Sequence, residues 1–140
     1  MRGIDGLFLR TAVVYVLAGM SLGIFMALSD DHSQMPTHAH MNLLGWASMA
    51  LYALVYRAWP EAARSPLAPW HFWIANLGTL VVVIGVAGIM AGREETFGPI
   101  AGVGSILSLL GMLLFAAIVY TRVGVARSRA ASAESLGTAD

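Results

Sequence analysis

Four side chains able to hold a metal fall within nine residues: His32, Met35, His38 and His40. Imidazole ligates haem iron, copper and zinc, and a thioether suits copper(I) and haem iron. Asn42 follows two residues later and offers the hydrogen-bond partner that ligating histidines usually have. Positions two apart point to roughly opposite sides of a regular helix. His40 is therefore expected to face inward, with His38 in a loop or at a helix start. A later helix start would let both converge on one ion. The alternative is that these are polar residues capping a helix at a membrane interface.

The elements that position these residues are apolar helices. Thr11 to Ser29 is long enough to cross a bilayer, which takes about 20 residues. Its Arg-bearing start and Ala27-Leu28-Ser29 also suit a signal peptide, and the reading adopted is a first helix. Gly19 and Gly23, extended by Tyr15 and Ala27, form a ridge that lets another helix approach closely. Asp30 to Thr37 is a polar loop, and Pro36-Thr37 announces helix two, with Thr37 as its N-cap. Helix two runs from about residue 38 to 57, helix three from 70 to 92 and helix four from 97 to 121. Gly98, Gly102, Gly104, Ser108 and Gly111 are small packing positions on helix four. Residues 1–123 thus read as one transmembrane four-helix bundle, and 124–140 as a flexible tail.

The whole chain agrees with that reading. Of 140 residues, 58% are hydrophobic and only 11% charged, and soluble domains carry about 25% charged residues. Cysteine is absent, which excludes disulfides, iron–sulfur clusters, thiolate haem ligation and Cys-based zinc sites. Net charge is zero, with no basic stripe, so nucleic acid is not an expected partner. All eight basic residues are Arg. Seven of them lie at the N-terminus, in the second loop or in the tail, and only Arg93 lies elsewhere. This bias places both termini in the cytoplasm and the His-rich junction at the outer face.

His71 opens helix three within Trp70-His71-Phe72-Trp73, an aromatic interfacial belt. Helices two and three start at opposite faces, so His71 and His40 are expected to lie about 30 Å apart. His71 then cannot share an iron with His40 in one copy. A second axial ligand has to come from His38, His32, Met26, Met90 or a neighbouring subunit. No phosphate loop and no Ser/His/Asp set is present, and Glu94-Glu95 suits a solvated turn better than paired acid–base work.

At His40-Met41-Asn42-Leu43-Leu44 the chain resembles the second helix of haem–copper oxidase subunit I, in the nitric oxide reductase and C-type oxidase branch. There a His-x-Asn at the helix's outer end supplies an axial ligand to a b-type haem. The longer run from His38 to Trp46, with His71 to Gly78, resembles short four-helix bacterial membrane proteins of oxidase subunit I type. The resemblance implies His40 as a haem b ligand, with His38 and Asn42 beside it. The ligands that a complete oxidase carries on later helices have no counterpart here, so whether the chain is an enzyme stays open.

Three functions follow as expectations. The first is a b-type haem protein of the bacterial inner membrane, multi-pass and homo-oligomeric, serving electron transfer to a redox partner or binding of oxygen or nitric oxide. The second is a copper-binding protein using His32, Met35, His38 and His40. The third is a cofactor-free accessory subunit of a respiratory complex.

Overall fold

The computed structural model describes residues 3–124. The flexible tail expected at 124–140 therefore lies outside the described residues, except for Gly124. Every regular element among the described residues is helical: α1 (Ile4–Ser29), α2 (Met35–His40), α3 (Met49–Ala58), α4 (Pro60–Ala63), α5 (Ala68–Met90) and α6 (Glu94–Arg122). A π-helical segment (Met41–Ser48) joins α2 to α3 without a break, making one rod over residues 35–58. Three helices, α1, α5 and α6, are long and apolar enough to cross a membrane. The rod at 35–58 carries the polar His38 and Asn42 and the π segment.

α1 begins at Ile4, seven residues before the apolar run. A helix can continue past the hydrocarbon, and Asp5 forms an ion pair there with Arg57 at 3.9 Å. α1 stops where Asp30 takes a left-handed conformation (φ 53°), which a short polar side chain tolerates. The rod starts at Met35 rather than at residue 38, with Pro36 in its first turn. Thr37 is not the N-cap. It is buried, and its hydroxyl donates to Gln34 Oε1 at 2.7 Å. Gln34 in turn donates from Nε2 to Ala87 O at 3.3 Å, tying the rod's start to the end of α5.

The helices alternate in direction, and two antiparallel pairs make the bundle. In the first pair the small-residue ridge of α1 receives the rod. Gly23 lies under His38, Gly19 under Asn42, and Tyr15 covers Gly45. A methyl group on Gly19 would come within 2.7 Å of Asn42, and one on Gly23 within 2.9 Å of His38. In the second pair Gly78 meets the backbone at Ser108, Gly85 meets Ala101, and Gly111 meets Ala75. Gly104, Ser108 and Gly111 are thus packing positions as expected, whereas Gly98 and Gly102 face open space. Interfaces built on small residues suit helices in lipid, where close van der Waals contact replaces the hydrophobic drive.

One aromatic knot joins the two pairs. Phe8 (α1), Tyr52 and Tyr56 (α3), Phe72 (α5) and Ile118 (α6) are buried together around His71. The knot lies at the start of α1 and α5 and at the end of the rod and α6, so it fixes the up–down–up–down order.

Candidate functional site

Backbone carbonyls pin both His38 and His40. Nδ1 of His40 lies 2.7 Å from Pro36 O, one turn back on its own helix. Nδ1 of His38 lies 2.8 Å from Gly19 O on α1. A carbonyl oxygen only accepts, so Nδ1 donates in both cases. In a neutral ring this leaves Nε2 as a bare lone pair, the form in which imidazole binds a metal.

The two rings differ in what surrounds that lone pair. Asn42 Nδ2 donates to His38 O at 2.9 Å and sits 3.3 Å from His38 Nε2. The same amide lies 3.4 Å from His38 Nδ1, so it sits against the ring and not on one nitrogen, and His38 is wedged between the rod and α1. Contrary to the expectation from spacing, His38 is the histidine that faces the neighbouring helix. The reason is its i, i+4 relation to Asn42, which puts both on one face over the glycine ridge. His40 is half-buried on another side of the rod, and among the described residues its ring hydrogen-bonds to Pro36 alone. Further along the rod, Leu43 and Trp46 are 64% and 36% exposed.

The π segment begins at Met41, directly after His40. Such wide turns are rare and occur disproportionately at functional sites. Here the widening changes the angular relation between His38–Asn42 and the Tyr52–Tyr56 face further along. Both faces then meet neighbours within the bundle.

The other candidate residues are scattered. His32 is exposed in the loop, and Met35 is 48% exposed at the start of the rod. Among the described residues no three His, Asp or Glu side chains gather into a group able to hold a metal ion. Met26 is buried on α1, and Met90 is partly buried at the end of α5. Asp31, in the same loop as His32, accepts from Ser33 N–H at 2.9 Å. That bond holds its carboxyl below the usual range.

His71 is not a belt residue. It is wholly buried, although Trp70 and Trp73 beside it are 65% and 68% exposed as a belt requires. Its ring lies 4.6 Å from Tyr52, 4.9 Å from Phe8 and 5.2 Å from Phe115, centroid to centroid. Nδ1 shares a 2.8 Å hydrogen bond with the Tyr56 hydroxyl. Nε2 has no hydrogen-bond partner among the described residues. With the rings of Phe8, Tyr52, Tyr56 and Phe115 around it, His71 is the centre of the knot.

His38 sits level with Gly19–Gly23 of α1, and His71 level with Phe8. At 1.5 Å per residue, these 11–15 residues separate the two rings by roughly 16–22 Å along the helix. His40 lies between His38 and Asn42 on the rod and so at the same level, a separation from His71 short of the expected 30 Å. It is still too far for the two to share an iron.

Comparison with known proteins gives partial matches. The chain is 35% identical over 81 residues to a cytochrome c oxidase subunit 1 homolog (bacteroid) of Bradyrhizobium diazoefficiens, covering 52% of this chain and 15% of that protein. It is 30% identical over 126 residues to cytochrome c oxidase subunit 1 of Rhodobacter capsulatus, covering 69% of this chain and 24% of the relative. A subunit 1 homolog of Agrobacterium tumefaciens is 33% identical over 78 residues, covering 50% and 14%. The chain thus spans a quarter or less of the length of these relatives. No protein-family model and no solved structure matches it. The apolar helices and these relatives together make this a multi-pass membrane protein that resembles haem–copper oxidase subunit I over part of that subunit's length.

Proposed function

We propose that the chain is a b-type haem-binding protein of the bacterial cytoplasmic membrane, with His40 as an axial ligand, serving electron transfer or the binding of oxygen or nitric oxide. The observation that carries this reading is the state of His40: Nδ1 is committed to Pro36 O, and Nε2 has no hydrogen-bond partner among the described residues. The relatives named cytochrome c oxidase subunit 1 support it. His38 and Asn42 hold α1 against the rod and so fix the helix from which His40 projects.

The donor chemistry fits a haem on one side. One imidazole is in place, and Leu43, three residues further along the rod, is exposed and apolar. The opposite wall and the second axial ligand come from a second copy of the chain or from a redox partner. A bound haem would supply one-electron chemistry and, where one axial position is open, a seat for a diatomic gas.

The test is an absorption spectrum of protein purified from haem-replete cells. A Soret band is expected, lost or shifted in His40→Ala and retained in His38→Ala. A protein without bound haem, or a band indifferent to His40, would count against the reading.

A further inference from the structure

His40 keeps one nitrogen in reserve. Nδ1 lies 2.7 Å from Pro36 O and so carries the proton, and Nε2 presents its lone pair in a direction that the helix fixes. The rod around it offers nothing else of that kind on its outside. Residues 35–56 contain no Asp, Glu, Lys or Arg, and every exposed side chain among them is apolar: Met35, Pro36, Leu43, Trp46, Leu51 and Leu54. An imidazole with an unpaired nitrogen on so apolar a rod is costly in a membrane unless a further group engages it.

Within one copy the nearby donors are held away from His40. His38 is two positions back and turned to α1, with Nδ1 2.8 Å from Gly19 O. Met26 is buried on α1, the helix that His38 faces. Met35 lies five residues back on the rod, about 7.5 Å along the axis and about 140° around it. Met90 lies beyond Ala87, which Gln34 reaches from the start of the rod, so it is roughly 10 Å or more further out than His40. His71 sits in the knot at the other end of the bundle. His32, exposed in the loop, is the one rival that no helix carries.

We infer that a second copy of the chain completes the site: two copies meet through the outer halves of their rods, and His40 of each takes one face of a single haem. This deepens the haem reading and rests on it. In a two-fold interface a residue on the axis meets its own counterpart. The arginine bias inserts every copy the same way up, so the axis runs along the membrane normal and the two His40 rings share one depth. Haem iron has one axial position on each face of the ring, and two imidazoles related by that axis match it with no further ligand. With both positions taken there is no seat for a diatomic gas, and the site is one for electron transfer.

Two affinity tags separate the possible pairs. The full chain is co-expressed in haem-replete cells with itself or with His40→Ala under a second tag, and complexes carrying both tags are isolated in detergent. The unsubstituted pair is expected to hold one haem per two chains, to have the detergent-corrected mass of a dimer, and to keep its reduced spectrum under carbon monoxide. The mixed pair keeps one of its two ligands, so its spectrum is expected to shift to the five-coordinate form and to respond to carbon monoxide. A pair with two His40→Ala copies is expected to lose the haem, and His32→Ala to match the parent. One haem per chain, a monomeric chain joined to a different polypeptide, a mixed pair with the parent spectrum, or a six-coordinate spectrum abolished by His32→Ala would overturn the inference and leave the haem reading standing. A parent protein without haem would overturn both. Ratio and mass are read on the unsubstituted chain, so they decide even where His40→Ala fails to fold.

Discussion

His38 and His40 divide the work that the sequence offers to either of them. Each has Nδ1 fixed by a carbonyl, yet only His38 also has the Asn42 amide against its ring. The pair was legible as a candidate ligand set, because imidazoles at the entrance to an apolar helix are costly unless used. The direction of each ring was not legible, because alternation across a helix says which residues are opposed and not which side meets a neighbour. The i, i+4 spacing of His38 and Asn42 carried that signal. His71 was misread as a belt residue for a related reason: its neighbours Trp70 and Trp73 do face outward. Its burial depends on Phe8, Tyr52, Tyr56 and Phe115, which are far apart in sequence and meet only when the helices alternate. A consequence at this scale is that Tyr56→Phe should destabilise the bundle. It removes the hydrogen bond to Nδ1 and leaves a wholly buried imidazole with neither nitrogen satisfied, a loss of about 1–3 kcal/mol. Reversible unfolding in mixed micelles measures it, and an unchanged midpoint would mean the bond contributes nothing.

At the scale of elements, the small-residue ridge on α1 was readable and the π segment was not. Gly19 and Gly23 sit four apart in an apolar run, and the rod packs there with His38 and Asn42 over the two glycines. Gly19→Leu has no space to occupy, since even a methyl group would lie 2.7 Å from the Asn42 amide. It should separate α1 from the rod and lower the thermal midpoint strongly, whereas Gly102→Leu, which faces open space, should be nearly neutral. Melts of the two variants side by side check this. A π turn depends on hydrogen bonds that no residue pattern specifies, so the rod was expected as one regular helix; its start was also expected three residues late, at 38 instead of Met35. Removing one residue from 41–48 would rotate one end of the rod relative to the other by about 100°, the angle per residue of an α-helix. Either His38 or the Tyr52–Tyr56 face would then lose its neighbours.

For the whole molecule, the apolar runs separated by short polar turns were enough to read an all-helical chain, because a bilayer requires long stretches without charge. The arginine bias predicts more than the fold does: both chain termini and the second loop, from Arg57 to Pro69, on the cytoplasmic side, and His32 outside. The absence of cysteine makes this directly testable. Single cysteines at Ser33 and Pro66, both exposed, are to be labelled in intact cells with an impermeant maleimide. Ser33→Cys should react and Pro66→Cys should react only after lysis; the reverse pattern would invert the topology.

The account turns on His40 as the ligand of a haem. The most direct measurement is the reduced-minus-oxidised absorption spectrum of the purified protein and of His40→Ala and His38→Ala, prepared together from haem-replete cells. The expected result is a b-type spectrum in the parent, kept in His38→Ala and lost or shifted in His40→Ala. A parent protein with no haem, or a spectrum that survives His40→Ala and vanishes in His38→Ala, would contradict it.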